Sequence, residues 1–195
     1  MKKITLNELS ELACKYDLEL ADVQAVFEVE AAGNGFLPDG KPKILFERHW
    51  FRKYTNSVYD TIHPDISNKL TGGYKGGLGE WARFDKASKL NGNKTREAAI
   101  MATSWGAGQI MGFHYKDLGF ETPQDFLNQN FKGEAEQFEI MLRFIALPKN
   151  ISMFKALKGK RWADFARLYN GPQYSKNKYD IKLAAAYQKH NNLLA

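Results

Sequence analysis

Residues 20–32 of the chain read LADVQAVFEVEAA, and this stretch has the period of an amphipathic helix. At about 100° per residue it carries one apolar stripe, made of Leu20, Val23, Val26 and Phe27. Glu30 follows Val26 by four residues and therefore lies on the same stripe, whereas Glu28 points to the opposite side. One acidic side chain is thus directed toward the apolar face of its own helix.

An acid in this position has unusual chemistry. A glutamate aimed inward loses hydration, which raises its pKa. A carboxylic acid that stays protonated near neutral pH can act as a general acid and protonate a leaving oxygen. The alternative is that Glu30, in the last helical turn, bends out to water or pairs with an arginine. The small residues of 31–35 (AAGNG) favour catalysis, because they leave open space beside the carboxyl group.

A second acid ends the next segment, residues 35–47 (GFLPDGKPKILFE). Two short extended runs around a Pro-Asp-Gly turn predict a small β-hairpin that finishes at Glu47. A hairpin against the helix end would place Glu47 across a cleft from Glu30, and glycoside hydrolysis requires two such carboxylates in unlike environments. The alternative for Glu47 is a surface ion pair with Arg48 or Arg52, or capping of the following helix.

Helical patterns account for most of the remaining chain. Thr5 and Glu8 form a capping-box pattern that starts a helix reaching about residue 16, and Gly33 is the predicted stop of the second helix. The segment 55–79 is rich in turn residues and predicts a long surface loop. We therefore predict one mainly α domain over 1–195, with a small β-hairpin and a multi-helix bundle. Its further helices are predicted at 48–53, 80–90, 95–104, 123–130, 133–147, 151–158, 161–169 and 178–193.

Composition excludes several classes of protein. Of the 195 residues 44% are hydrophobic and 26% charged, which argues against disorder, and no apolar run approaches the ~18 residues of a membrane span. The net charge of +6 favours anionic partners, but the basic residues are scattered, which argues against a nucleic-acid surface. The single cysteine, Cys14, suits a reducing cytoplasm. Glu8 and Glu11 interrupt the first leucines, so no signal peptide is predicted.

The sequence motifs of three other kinds of site are incomplete: a zinc site, a phosphate-binding loop and a serine nucleophile. The four histidines have no partner at i+4, so no zinc site is expected. The glycines of 72–79 have phosphate-loop spacing, but Leu78 and Gly79 stand where Lys and Ser or Thr are needed. Ser104 lies in a near match to a nucleophile elbow, which requires a preceding strand. Because 95–103 predict a helix, we interpret Ser104 as a helix-end or capping hydroxyl.

Four separated motifs carry a resemblance to a known family. They are VEAAGNGF (29–36), KPKILFERHWF (41–51), SWGAGQIMGFHY (104–115) and FARLYNGPQYSKNKYDIKLAAAY (165–187). Together, from about Leu18 to Tyr187, they resemble the N-acetylmuramidase domain of phage endolysins, in the lysozyme-like superfamily. The resemblance implies a lysozyme-like α+β fold in which Glu30 is the general acid and Glu47 the second catalytic carboxylate.

The resemblance also implies substrate-binding residues. The segment 104–111 is similar to the G-x-x-Q-I-M segment of lytic transglycosylases, where the glutamine, here Gln109, lines the sugar groove. Tyr169 and Asn170 resemble a tyrosine-asparagine motif whose tyrosine sits close to the catalytic glutamate, although packing is the alternative for Tyr169. Gln109 and Asn170 are expected to bind N-acetyl groups. The aromatic residues expected to stack on apolar sugar faces are Tyr74, Trp105 and Tyr169.

The activity implied is that of a peptidoglycan hydrolase, an endolysin that lyses the host of a bacteriophage. It would cleave the β-1,4 bond between N-acetylmuramic acid and N-acetylglucosamine without a metal or organic cofactor. We expect a monomer with no separate cell-wall-binding module, which accumulates in the host cytoplasm and reaches the wall once the membrane is permeabilised. The helix at 179–194 is interpreted as a packing helix, with weak contact to acidic membrane or outer-membrane surfaces as the alternative.

Three alternative functions remain open on the sequence. A lytic transglycosylase shares the fold, uses one glutamate and leaves an anhydro-sugar. A non-catalytic wall-binding module would bind peptidoglycan whether or not Glu30 is present. A nucleic-acid binder would show strongly salt-dependent DNA affinity, and the scattered positive charge ranks it last.

Overall fold

The predicted helices are all present in the structure, a computed structural model that describes residues 2–31 and 34–193. Each predicted helix end lies within three residues of the observed one, and the predicted stop at Gly33 lies outside the described residues. The helices are α1 (Leu6–Lys15), α2 (Leu20–Glu30), α3 (Arg48–Tyr54), α4 (Leu78–Ser88), α5 (Gly92–Met101), α6 (Pro123–Asn130), α7 (Glu134–Ile145), α8 (Ile151–Lys158), α9 (Trp162–Asn170) and α10 (Tyr179–Asn192). Short 3-10 turns lie at Gly112–His114, Pro148–Asn150 and Tyr174–Asn177.

The capping signals explain several of these helix ends. The Thr5 side chain accepts from the Glu8 amide while the Glu8 carboxylate accepts from the Thr5 amide, which confirms the predicted capping box of α1. Thr122 and Asp125 form the same reciprocal pair before α6, with a proline in its first turn. These local interactions satisfy amide groups that a helix start leaves unpaired, so they fix where each helix begins.

The small sheet is antiparallel and has the order β1-β2-β3. Strand β1 (Ile44–Phe46) pairs with β2 (Thr103–Trp105), which pairs with β3 (Ile110–Met111). The hairpin expected within 35–47 differs from this arrangement: its two arms meet in one bridge, between Phe36 and Pro42, and the second arm pairs with a strand almost 60 residues away. The reason is tertiary, because Ile44 and Trp105 share a hydrophobic core.

The strand β2 corrects the prediction of a helix as far as residue 104. Helix α5 ends at Met101, and Thr103 and Trp105 are a β-branched and an aromatic residue, types that favour strands. Both also satisfy the carbonyls that the end of α5 leaves free, since Thr103 Oγ1 donates to Ala99 O at 2.8 Å and Trp105 Nε1 donates to Ile100 O at 3.0 Å.

The interpretation of Ser104 as a helix-end or capping hydroxyl is therefore wrong. Ser104 lies in the middle of β2, and its hydroxyl donates to Gln109 Oε1 at 3.1 Å. The side chain thus connects a strand to the turn that follows it rather than closing a helix.

Two hydrophobic clusters form the core. The sheet-side cluster surrounds β1, β2 and helices α3 to α6 and includes Phe46, Phe51, Ile66, Trp81, Trp105 and Phe126. The helix-side cluster joins α1, α2 and α7 to α10 and includes Val23, Val26, Phe138, Met141, Phe165 and Leu183. Helix α7 belongs to both, because Ile140 faces the first cluster while Phe138 and Met141 face the second. The two clusters are thereby two halves of the molecule, joined along one helix.

The segment between α3 and α4 contains turns and bends, as predicted for a long loop. Arg48 anchors it by donating to Leu70 O at 2.9 Å and Thr71 O at 2.8 Å. Its last part carries two glycine pairs, 72–73 and 76–77, all with positive φ, so the chain turns on either side of residues 74 and 75.

Helix α10 packs on the helix-side cluster, as its packing interpretation predicts. Leu183 and Ala186 are buried, while Ile181 is exposed. Within residues 2–31 and 34–193 no helix combines the length and the apolar character that a membrane crossing requires.

Candidate active site

A cleft of about 350 Å³ lies where the two halves of the molecule meet. The end of α2, strand β1, the glycine-rich loop before α4 and the turn after β2 all contribute to its walls. Among the residues that line it are Glu30, Asn34, Lys43, Leu45, Gly77 and Gln109. The cleft thus contains the first predicted acid and one of the predicted sugar-binding residues. Ala32 and Gly33, expected to leave space beside the acid, lie outside the described residues.

Glu30 is a partly buried acid at the C-terminal end of α2. Its neighbours Phe27 and Val29 pack against the helix-side cluster, and burial raises the pKa of the Glu30 carboxyl to about 7. A hydrogen bond from Asn170 Nδ2 to Glu30 Oε1, 2.9 Å long, and the positive charge of Lys182 act in the opposite direction and are weaker. A carboxyl group with this pKa can hold a proton near neutral pH and release it to a bound molecule.

Glu28 provides the contrast on the same helix. Its carboxylate is exposed and accepts hydrogen bonds from Lys189 Nζ and His190 Nε2, each 2.8 Å long. The Lys189 partner lowers the pKa of Glu28. The two glutamates of α2 therefore differ in burial and in the direction of their pKa shifts, as their positions around the helix predict.

Tyr169 and Asn170 lie at the end of α9, beside Glu30. The Tyr169 hydroxyl donates to Gly108 O at 2.8 Å, and burial, with the nearby Glu30 charge, holds its pKa well above the usual range. One face of its ring stacks on Phe165, with the ring centroids 5.8 Å apart. The side chain therefore ties α9 to the turn after β2, and its phenol is close enough to Glu30 to interact with its charge.

Gln109 occupies the turn between β2 and β3 and has a left-handed backbone, with φ of 48°. Its Nε2 donates to Gly106 O at 2.9 Å and its Oε1 accepts from Ser104. These bonds hold an exposed amide at the wall of the cleft. The expectation that Trp105, four residues earlier, stacks on sugar is wrong, because its ring is 1% exposed and packs edge-to-face on Trp81.

Glu47 directly follows β1, at the N-cap position of α3. Its Oε1 accepts from the Tyr74 hydroxyl at 2.8 Å, and its Oε2 lies 3.2 Å from His49 Nδ1. Leu45 lines the cleft, and Glu47, two residues further along an extended chain, leaves the backbone on the same face. Partial burial and this hydrogen bond raise the pKa of Tyr74 to about 12, so the phenol remains a donor to the carboxylate.

The alternative roles considered for Glu47 do not occur in the structure. Arg48 donates to loop carbonyls, and Arg52 Nε donates to Asp60 Oδ2 at 2.6 Å. Glu47 stands at the N-cap position of α3, but its side chain makes no capping hydrogen bond. Its carboxylate therefore accepts a hydrogen bond from Tyr74 and lies close to His49, and it neither pairs with an arginine nor caps a helix.

Two polar residues near the site, His49 and Glu80, escape the sequence analysis, which predicts Tyr74 only as a residue that stacks on sugar. His49 and the hydroxyl of Tyr74 contact Glu47, and no local pattern joins residues 47 and 74. Glu80 is fully buried behind β1, and here a signal existed: it lies four residues before the core residue Phe84, so the helical period already placed it on an apolar face. In the described part of the chain, no three His, Cys, Asp or Glu side chains form a group that could hold a metal ion.

Comparisons with known proteins agree with this fold. A family model described as N-acetylmuramidase matches residues 19–191. The crystal structure of a Burkholderia AP3 phage endolysin is similar to this chain with a TM-score of 0.91 and 42% sequence identity, over 100% of this chain and 73% of that one. A search of curated proteins gives no match. The predicted resemblance and the mainly α, lysozyme-like fold are confirmed.

Proposed function

The chain belongs to the N-acetylmuramidase family, and on this basis we propose that it hydrolyses peptidoglycan. The bond cleaved is the β-1,4 linkage between N-acetylmuramic acid and N-acetylglucosamine. The observation that carries the proposal is the acid at the cleft wall, whose pKa burial raises to about 7. An acid of this kind is what protonation of a glycosidic oxygen requires at neutral pH.

Glu30 is the general acid of the proposed mechanism. Its proton passes to the bridging oxygen as the bond to the anomeric carbon breaks, and the leaving sugar departs as an alcohol. Asn170 supports this role because its amide hydrogen-bonds one carboxyl oxygen and leaves the other for substrate. Tyr169, whose phenol lies near Glu30, is proposed to bind the substrate beside it.

Glu47 is the second carboxylate of the proposal. Held by Tyr74, it stabilises the oxocarbenium-like transition state, attacks the anomeric carbon or orients the attacking water. Gln109 and Asn170 are proposed to bind N-acetyl groups, and Tyr74 to stack on sugar. Neither acid needs a metal or an organic cofactor for these steps.

The biological role we propose is host lysis by a phage endolysin, by analogy with the Burkholderia phage protein. A monomeric enzyme would accumulate in the host cytoplasm and attack the wall after the membrane is permeabilised. The net charge of +6 supports attraction to the anionic envelope.

A lytic transglycosylase is the second candidate, and one observation favours it. Glu47 is not among the residues that line the cleft, and its two oxygens face Tyr74 and His49. An enzyme that relies on Glu30 alone would release anhydro-sugar products.

Turbidity loss of purified peptidoglycan tests the proposal with four proteins: wild type, Glu30→Gln, Glu47→Gln and the matched control Glu28→Gln. Circular dichroism verifies that each is folded. Loss of a general acid costs about 10²–10⁴-fold in rate, so Glu30→Gln should not clear the suspension, whereas Glu28→Gln should. Full clearing by folded Glu30→Gln would refute the assignment.

Mass spectrometry of the released muropeptides separates the two candidates. A muramidase gives reducing N-acetylmuramic acid ends, and a transglycosylase gives anhydro ends. Full activity of Glu47→Gln together with anhydro products would establish the second candidate.

A further inference from the structure

Glu80 is a buried charge that the proposed mechanism does not use. It lies in the first turn of α4, is 0% exposed, and accepts four hydrogen bonds. Its Oε2 accepts from the Phe46 amide at 3.0 Å and from Arg83 Nη1 at 2.8 Å. Its Oε1 accepts from the Lys75 amide at 2.5 Å and the Gly76 amide at 3.2 Å. One carboxylate thus holds two separate segments of backbone.

Arg83 extends this connection from the next turn of α4. The residue is 5% exposed, and its Nη1 donates to Phe46 O at 3.0 Å. Its Nη2 donates to Asp65 O at 3.1 Å, and the guanidinium lies 5.2 Å from the centre of the Phe46 ring. Both polar backbone groups of Phe46 are therefore bound by the Glu80–Arg83 pair.

The two segments held by this pair are those that carry the Glu47 carboxylate and its partner. Phe46 directly precedes Glu47, and Lys75 directly follows Tyr74, whose hydroxyl donates to Glu47. Positive-φ glycines flank Tyr74 and Lys75 on both sides, so the loop has little intrinsic stiffness. Its position over β1 depends on bonds from outside the loop, and Glu80 supplies two of them.

Burial of an ion pair is costly, and an apolar pair of similar volume often gives equal or greater stability. This pair directs four of its hydrogen bonds to the backbone of Phe46, Lys75 and Gly76, next to Glu47 and Tyr74. We propose that Glu80 and Arg83 are positioning residues for Glu47: they lock the end of β1 and the Tyr74 loop together, so that carboxylate and phenol keep their contact. The inference rests on the proposed function only in giving Glu47 a role in the reaction.

Glu80→Gln breaks this arrangement with little change in volume. A glutamine side chain presents one oxygen and one NH₂ group, so it cannot accept from both the Phe46 side and the loop amides. Because misplacement of a reacting group by about 1 Å can cost 10²-fold, we expect kcat to fall about 10- to 100-fold with KM changed less than kcat. Arg83→Lys keeps the positive charge but cannot donate from two guanidinium nitrogens to Phe46 O and Asp65 O at once. It should therefore lower kcat in the same way.

A double-mutant cycle tests the inference, with wild type, Glu80→Gln, Tyr74→Phe and the double variant. The readouts are kcat and KM on soluble peptidoglycan fragments and amide hydrogen exchange at Lys75 and Gly76. If Glu80 acts through the Tyr74–Glu47 contact, its substitution costs less in the Tyr74→Phe background than in wild type. Exchange at the two loop amides should also rise in Glu80→Gln.

The matched control is Asp22→Asn, which alters another fully buried carboxylate with a cationic neighbour, Lys160, at the far end of α2. It should leave kcat unchanged. The inference is overturned if Glu80→Gln lowers kcat by the same factor in both backgrounds, or if the folded variant keeps wild-type kcat. Should Glu80→Gln not fold, Arg83→Lys replaces it in the cycle. Failure of the proposed function gives a different result, namely full activity of Glu30→Gln or of Glu47→Gln.

Discussion

The two halves of the molecule present their acids in opposite ways. On the helix side, Glu30 ends a helix whose neighbours are apolar, and it has one hydrogen-bond partner, Asn170. On the sheet side, Glu47 ends a strand and contacts the Tyr74 hydroxyl and the His49 ring. Two carboxyl groups in such unlike surroundings support the unlike roles proposed for them, Glu30 as the general acid and Glu47 as the second carboxylate.

The difference follows from how each half of the molecule is built. A helix end presents one residue of its apolar stripe to the neighbouring helices, so burial has the largest effect on the pKa of Glu30. A strand end and a glycine-rich loop expose backbone groups that need partners, and Glu80 and Arg83 supply them near Glu47. Burial is thus the main feature of the surroundings of Glu30, and a hydrogen-bond network is the main feature of those of Glu47.

The largest expected effect is a loss of activity at high pH, where Glu30 loses its proton. Because Glu30 must carry a proton and its pKa is raised to about 7, activity should fall about tenfold per unit above that pH, or roughly 100-fold by pH 9. The measurement is a pH profile of kcat/KM on soluble peptidoglycan fragments. Glu47→Gln, if measurable, should keep the same midpoint. A profile that stays flat to pH 9 would contradict the assignment of Glu30.

The second prediction uses stability instead of activity. The pKa of Glu30 is about 7 in the folded chain against 4.5 for an ordinary glutamate, so the folded state binds the proton more tightly. Wild type therefore loses stability as pH rises from about 4.5 to 7, by at most about 3 kcal/mol. Glu30→Gln escapes this loss, and its stability relative to wild type should be higher at pH 8 than at pH 4.

Urea unfolding of wild type and Glu30→Gln at the two pH values measures this change. Glu28→Gln is the control and should have the opposite sign. Ion pairing lowers the pKa of Glu28, so its substitution removes a small stabilisation that is present above the ordinary glutamate pKa and lost as pH falls. Equal pH dependence of the two variants would show that the two glutamates of α2 do not differ in environment.

The third prediction concerns the sheet-side acid. Tyr74→Phe removes the hydroxyl that donates to Glu47, and hydrogen bonds to charged groups contribute about 1.5 kcal/mol or more, so kcat should fall roughly tenfold. Tyr187→Phe is a matched control, since Tyr187 donates to Glu19 over the same 2.8 Å on the helix side, away from the cleft. Steady-state kinetics on soluble fragments measures both. Equal losses in the two variants would deny Tyr74 a specific role.

The smallest expected effect is a change in the pKa of Glu30 when Asn170 is replaced. Asn170→Ala removes a donor that favours the ionised carboxylate, so the pKa of Glu30 should rise further, by less than burial itself raises it. The high-pH midpoint of the activity profile should move upward accordingly. Asn7→Ala, which breaks a similar contact with Glu11 at the surface, should not move it. A downward shift with Asn170→Ala would reverse the role given to the amide.

Local sequence signals predicted the helical part of the molecule. The stripe of α2 located Glu30, and Thr5 and Thr122 placed helix starts, because these features involve residues within a few positions of one another. The mainly α class and the family resemblance likewise needed only the sequence.

Local signals failed where the partner of a segment is distant in the chain. The pairing of β1 with β2, the packing of Trp105 on Trp81 and the contact of Glu47 with Tyr74 all join residues at least 24 positions apart. Propensity extended α5 into β2 because a strand of three residues has too few positions to establish a period.

The sequence by itself determined that one glutamate of α2 lies on an apolar stripe and one lies in water, since a helix fixes the direction of each side chain from its own backbone. Only the tertiary structure decided what surrounds each acid: the burial that raises the pKa of Glu30, and the Tyr74 hydroxyl held against Glu47. The physical reason is that desolvation and hydrogen bonding depend on atoms brought together by packing, and those atoms come from segments far apart in the chain.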